Sequence, residues 1–137
     1  MTSIQHVSPP DTYDSPRSRG YTQVVTVDMP GRFVFVSGQL PLDEAGNIVA
    51  VGDIETQTRA VFENRRKSLE SVGARFDQIV KLTAFVTDVV RQPPLIRKVR
   101  AEYCGIKTPP ASTMVEVPRF AHKDILIEVD AVAIAPL

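Results

Sequence analysis

Glu128 and Asp130 stand two residues apart in "ILIEVDAVAIA", the most hydrophobic stretch of the chain, so on a strand they share one face. A carboxylate set among isoleucine, valine and alanine has its charged form disfavoured, a condition that suits a general acid or base near neutrality. The competing reading is a charge paired at a sheet edge or a subunit interface. Ser37, in "VSGQ", offers a hydrogen bond to a ligand but has no histidine near it in sequence to activate it as a nucleophile. Ser112 and Thr113, in "TPPASTMVEV", are small donors at the point where a proline pair runs into an alternating apolar stretch. Two histidines, His6 and His122, and one cysteine, Cys104, leave little material for a histidine-based metal site or a catalytic triad, and exclude an intrachain disulfide. Cys104 reads as a small buried hydrophobe. "GNIVAVGD" carries two glycines without the lysine and spacing of a phosphate-binding loop. The chemistry narrows to carboxylates, hydroxyls, backbone amides and water.

Elements must hold these groups in place. "YTQVVTVDM" is β-branched, "PGR" is a turn and "FVFVSGQL" is strongly apolar, which predicts a hairpin whose second strand is well buried. Gly38 weakens the end of that strand and marks either a bulge or a place of close backbone approach. Asp53 is a candidate N-cap for a helix from Ile54 to Val72. Ile54, Val61, Phe62, Leu69 and Val72 recur on one side of it, and Glu55, Glu63, Arg66, Lys67 and Glu70 on the other. Arg65 falls at the edge of the apolar stripe, and Gly73 suits the left-handed position that ends the helix. "QIVKLTAFVTDV" reads as a buried strand, and "RQPPLIRKVRAEYCG" as a shorter helix with prolines in its first turn and Leu95, Ile96, Val99 and Tyr103 on one face. The Ser112 segment supplies a strand, a loop follows, and "ILIEVDAVAIA" closes the chain as a long strand.

The predicted order is β-β-α-β-α-β-β, an α+β sheet with both helices on one face. Several strands are nonetheless apolar on both sides: Val34, Val36, Ile127 and Val129 alternate with Phe33, Phe35, Leu126 and Val132. A sheet covered on one side only has a polar second side, so this pattern predicts burial against other subunits.

At 137 residues the chain reads as one domain, residues 21–137, preceded by a flexible arm at 1–20 that is polar and Pro-rich rather than signal-like. Sixteen basic residues balance sixteen acidic ones, so no global charge draws the protein to nucleic acid or anionic lipid. No stretch approaches the roughly 18 apolar residues of a membrane span. The expected compartment is the cytoplasm, in keeping with a single cysteine.

Taken in order, "FVFVSGQLPLDEAGNIVAVGDIETQT", "LESVG", "VKLTAFVTDV", "AEYCG", "PPAS" and "IEVDAVA" resemble the RidA family, also called YjgF/YER057c/UK114 or endoribonuclease L-PSP. Each piece is weak alone, but the ordered set spans nearly all of the chain after the arm. The resemblance implies a chorismate-mutase-like subunit, a homotrimer, and small-molecule pockets in clefts between subunits. It further implies deaminase-type hydrolysis of reactive imines and enamines without cofactor or metal. Carried over residue by residue, it assigns Glu128 to positioning or activating water, and places Tyr21, Ser37, Gly38 and Gln39 at the pocket.

One position departs from the pattern. An ungapped alignment puts Ser112 where the family's substrate-clamping arginine stands, with Thr113 next to it. A guanidinium makes a planar, charge-assisted fork to a carboxylate, whereas a serine offers one neutral donor. Hydrogen bonds to charged groups are worth about 1.5–3 kcal/mol, so carboxylate binding at this position is weakened and substrates depend on it less. Ser112 and Thr113 are then the expected donors to the ligand, and Arg17, Arg19 or Arg119 could substitute if a neighbouring subunit brings one of them to the cleft. The alternatives to an imine hydrolase are a non-catalytic binding or regulatory module on the same scaffold and, less favoured by charge, a ribonuclease.

Overall fold

The computed structural model describes residues 3–7 and 21–137. In chain order the elements are β1 (Ser3–Val7), β2 (Val24–Asp28), β3 (Arg32–Gln39), α1 (Ile54–Glu70), a 3-10 turn at Phe76–Gln78, β4 (Ile79–Val86), α2 (Pro93–Cys104), β5 (Ala111–Glu116) and β6 (Ile127–Ala135). The central sheet has the order β3-β6-β4-β5. β6 runs antiparallel to both its neighbours, and β4 and β5 are parallel, joined by the crossover that carries α2.

Local chemistry accounts for the helices. Asp53 caps α1 by accepting from the Thr56 amide at 3.1 Å and the Thr56 hydroxyl at 2.7 Å, and these bonds hold its carboxyl below the usual range. At the other end Gly73 takes a φ of +72°, which lets the Ala74 amide return to the Leu69 carbonyl at 2.9 Å. Val61, Phe62 and Leu69 turn inward and are buried. They meet Leu82, Ala84 and Val86 of β4 and Ile127, Val129 and Ala131 of β6 in one core. Full burial of a Phe or Leu side chain stabilises by roughly 1.5–3 kcal/mol. Phe62, Phe76 and Tyr103 close one end of this layer with ring centroids 5.3 to 6.1 Å apart.

Both helices cover one face of the sheet, as predicted. The other face carries Phe33 and Phe35, stacked at 6.0 Å and exposed at 57% and 77%, so β3 is not the well-buried strand that its composition predicted. The predicted hairpin also differs. β2 pairs with β1, from Val7 opposite Val24 to Ser3 opposite Asp28, while β3 pairs with β6. A strand at Ser3–Val7 thus lies within the segment read as an arm, and the order gains one β element at its start. The rest of that segment, with Arg17 and Arg19, lies outside the described residues. Smaller differences follow from the ends of elements: α1 stops at Glu70 and leaves Val72 exposed, and Leu95 faces solvent while Pro93, Ile96, Val99 and Arg100 are buried on α2.

Candidate functional site

β4 sets the register of the outer face. Phe85 lies opposite Glu128, Thr83 opposite Asp130, and Lys81 opposite Val132 on β6, while Lys81, Thr83 and Phe85 face Ala111, Thr113 and Val115 on β5. Directly paired residues share a face, so Glu128, Asp130, Phe85 and Thr113 all point away from the helices.

At Glu128 the neighbouring strand is irregular. The β3–β6 register slips between Val36 and Gln39, a bulge that spends Ser37 and Gly38. The Glu128 side chain packs over that bulge so closely that a Cβ placed on Gly38 would lie 2.4 Å from Glu128 Oε1 and 2.8 Å from its Cγ and Cδ. Both readings of Gly38 therefore hold: it is a bulge and a close approach, and what approaches is the candidate carboxylate. Gln39 folds back so that its Nε2 donates to the Ser37 carbonyl at 2.9 Å. Beyond Glu128 opens a recess of about 350 Å³ lined by Phe85, Val117, Arg119, Phe120, Ala121 and Glu128. On the far side of the bulge, Gly38 and Gln39 line a second recess of about 340 Å³ with Asn64 and Lys67.

The remaining predicted site residues lie around the start of β5. Tyr21 precedes Thr22, whose amide donates to the Pro110 carbonyl at 3.0 Å and whose hydroxyl donates to the Pro109 carbonyl at 2.6 Å. His6 Nδ1 lies 2.9 Å from the same Pro109 carbonyl. This clasp fixes the proline pair just before β5. Ser112 and Thr113 then point to opposite faces. Ser112 looks toward the helices and its Oγ accepts from Nη1 of the buried Arg100 at 3.1 Å, while Thr113 looks outward and accepts from Lys81 Nζ at 2.6 Å. Three residues along the sheet and two strands across place Ser112 about 14 Å from Glu128 within one chain, from ordinary strand spacings. One chain thus brings Ser37, Gly38, Gln39 and Glu128 together, while Tyr21, Ser112 and Thr113 lie at and just before the start of β5, apart from Glu128 and with Ser112 and Thr113 on opposite faces.

Behind the sheet lies a polar cluster that the sequence barely signalled. Arg65 is fully buried. Its Nη2 donates to the Val129 carbonyl at 2.7 Å, its guanidinium sits 4.8 Å from the centre of the Phe62 ring, and its Nε and Nη1 have no hydrogen-bond partner among the described residues. Burial pushes its pKa down to about 10 and pushes the Cys104 thiol up to about 11. No group of three or more potential metal ligands occurs among the described residues, and no described helix is long and apolar enough to cross a membrane.

The family model described as Endoribonuclease L-PSP matches residues 12–135. The chain belongs to the RidA/YjgF (endoribonuclease L-PSP) family. A RutC family protein of Pyrococcus abyssi is 41% identical over 124 residues, covering 89% of this chain and 92% of that one. Protein DfrA of Myxococcus xanthus is 34% identical, covering 88% and 90%. Among solved structures, the Rid family protein YyfB of Yersinia pestis superimposes with a TM-score of 0.80 at 25% identity over 96% of this chain and 98% of that one. A YjgF/YER057c/UK114 family member from Mycobacterium tuberculosis gives a TM-score of 0.65 at 27% identity over 97% and 100%. The α+β fold expected from the sequence is that of the RidA/YjgF proteins.

Several contributors escaped the sequence reading, among them Val117, Phe120 and Ala121, which line the Glu128 recess from the loop after β5. Phe85 joins the Glu128 recess only through the β4–β6 register, which no local pattern encodes. Lys81 reaches Thr113 through the parallel β4–β5 pairing, equally non-local.

Proposed function

We propose that this protein is a RidA-like homotrimer whose intersubunit pockets bind a small molecule and hydrolyse a reactive imine or enamine, with Glu128 positioning the water. The observation that carries this reading is Glu128 itself, held over Gly38 and lining a recess with Phe85 and Phe120. In the proposed step Glu128 takes a proton from water, the water oxygen bonds to the imine carbon, and the proton passes to nitrogen. The hydroxyl of this carbinolamine then gives its proton through Glu128 to the same nitrogen, the C–N bond breaks, and a carbonyl compound and ammonia leave. An enamine joins this route once protonation at carbon has made it an imine, and no cofactor is needed. Two features support the assembly. Tyr21, Ser112 and Thr113 stand around the start of β5, apart from Glu128, so a neighbouring chain is the natural source of a second wall. Phe33 and Phe35 also leave an apolar face uncovered in one chain. We assign the protein to the cytoplasm, a reading supported by its single cysteine.

The test is ammonia release from imines generated in situ from several amino acids. Purified protein accelerates it, and Glu128→Gln loses at least about tenfold in rate. Absence of release from every imine, with Glu128→Gln indistinguishable from wild type, sinks the catalytic reading.

A binding or regulatory module is the second reading, favoured by Ser112, whose hydroxyl is engaged by Arg100 where a carboxylate-binding guanidinium was expected. Its mark is saturable ligand binding that survives Glu128→Gln without turnover. Ribonuclease chemistry draws no support from a net charge of zero or from His6 and His122, which stand at opposite ends of the sheet.

A further inference from the structure

The loop between β5 and β6 is fixed at both ends. The Val117 amide donates to the Val86 carbonyl at 2.8 Å, which extends the sheet beyond β5. At the other end Gln57, fully buried on α1, donates from Nε2 to the Asp124 carbonyl at 2.8 Å and accepts from the Leu126 amide at 2.9 Å. A loop anchored this way presents its side chains from a defined place rather than from a free tip. Besides His122 the loop carries two cations, Arg119 and Lys123, and of these Arg119 lines the recess. Its guanidinium donates to the carbonyls of Phe120 at 3.1 Å and Ala121 at 3.4 Å, both within its own loop, and it forms no salt bridge to a carboxylate among the described residues. It lines the same recess as Glu128, with Phe85 and Phe120 as apolar walls.

The charges of this recess are therefore a guanidinium without a carboxylate partner and a carboxylate braced on the Gly38 bulge. A small ligand complementary to both carries an anionic group for Arg119 and an electrophilic or cationic group for Glu128, with its body against the two rings. The reverse orientation sets like charges together at both ends and is disfavoured. Arginine is suited to the anionic end because its planar fork meets both oxygens of a carboxylate.

We propose that Arg119 is the specificity-determining residue of the Glu128 recess and selects small carboxylates. Anion recognition then lies on the β5–β6 loop instead of at the start of β5, where Ser112 stands. This rests on the reading of that recess as the ligand site. One rival is Lys81, whose ammonium is held by Thr113 on β5.

Isothermal titration with 2-oxobutanoate and its uncharged amide, on the intact protein, tests the assignment. Wild type prefers the carboxylate. Arg119→Gln weakens 2-oxobutanoate by about tenfold or more, as loss of a charge-assisted bond requires, and leaves the amide within about twofold. Arg119→Lys recovers part of the loss, and Lys123→Gln, on the same loop but outside the recess lining, binds both as wild type does. Arg119 is exposed, so these variants fold, which an unchanged thermal midpoint verifies. The assignment is overturned if Arg119→Gln binds 2-oxobutanoate as wild type does, if the loss appears in Lys81→Gln instead, or if wild type binds carboxylate and amide equally. In those cases the Glu128 recess still stands as the ligand site. Binding of neither probe, with ammonia release unaffected by Glu128→Gln, overturns both.

Discussion

Glu128 occupies the space where any residue other than glycine at position 38 would place its Cβ: Oε1 lies 2.4 Å, and Cγ and Cδ 2.8 Å, from that point. Only the carboxylate tip could swing aside cheaply, and Cγ cannot. Gly38 does not have a left-handed φ, so a methyl group there brings no backbone strain and acts through this contact alone. Gly38→Ala is therefore expected to reproduce the defect expected of Glu128→Gln, with at least about a tenfold loss in ammonia release, because it moves the group proposed to position water. The overpacking costs roughly 1–3 kcal/mol, which the chain survives, as a cooperative thermal transition shows. Full activity in folded Gly38→Ala refutes the role of this contact.

The helices were legible because their signals are local. Asp53 and Gly73 mark the two ends of α1, and the spacing of Val61, Phe62 and Leu69 marks its inner face. The contact of Glu128 with Gly38 was not legible, although each residue stood out alone, because it depends on a register slip between strands distant in sequence. The expected β2–β3 hairpin failed for the same reason. The chain bends at Met29 and Pro30, but the partner of β2 is β1, a short stretch ahead of a Pro-rich segment with no strong pattern of its own. Arg65 looked like a blemish on the apolar stripe and is instead wholly inside it, its guanidinium spread on the Phe62 ring and tied to the Val129 carbonyl.

That burial leads to a prediction about stability. Arg65 remains a cation at neutral pH, deep in the core, with one hydrogen bond and two nitrogens unpartnered among the described residues. Removing its bond leaves the Val129 carbonyl short of a donor, at a cost of about 1–3 kcal/mol. Removing a poorly compensated buried charge returns a comparable or larger amount, and an apolar residue of similar volume keeps the packing. Arg65→Leu is expected to be more stable than wild type by about 1 kcal/mol. Arg65→Ala adds a cavity and is expected to be less stable by about 2 kcal/mol or more. Urea denaturation of the three proteins measures both, and a large loss in Arg65→Leu shows that the guanidinium stabilises the fold.

Cys104 supplies a pH dependence with a defined sign. Cys104 is half-buried rather than fully enclosed, and desolvation of its thiol raises it from an ordinary 9.0 to about 11. Between these values the unfolded chain releases the proton while the folded chain retains it, so the unfolded state gains and stability falls as pH rises from 9 toward 11. Below pH 9 this contribution is constant. Cys104→Ala lacks it, so the stability difference between the two proteins shifts toward the variant across that window, by up to roughly 2 kcal/mol. The same burial makes the native thiol slow toward Ellman's reagent at pH 8 and faster by at least about a hundredfold after unfolding in urea. Rapid labelling of the native protein contradicts the raised value.

The stacked pair Phe33 and Phe35 tests the proposed assembly. Both rings project from the face of the sheet opposite the helices, and Phe35 lies opposite Val132 on β6, so the apolar patch continues onto the next strand. An aspartate at position 35 puts a charge at the centre of any interface built on that face and desolvates it on assembly, a penalty of several kcal/mol per ion. With the ring already 77% exposed in one chain, the same change removes little from the core. Phe35→Asp is therefore expected to keep the circular dichroism spectrum of the wild type and to sediment as a monomer, against the trimer expected of the wild type. Ammonia release is expected to fall with it, because the Glu128 recess then loses the wall that the proposed assembly draws from a neighbouring chain. A trimer that persists in Phe35→Asp places the subunit contact elsewhere on the molecule, and full activity in a monomer shows that the recess is complete within one chain.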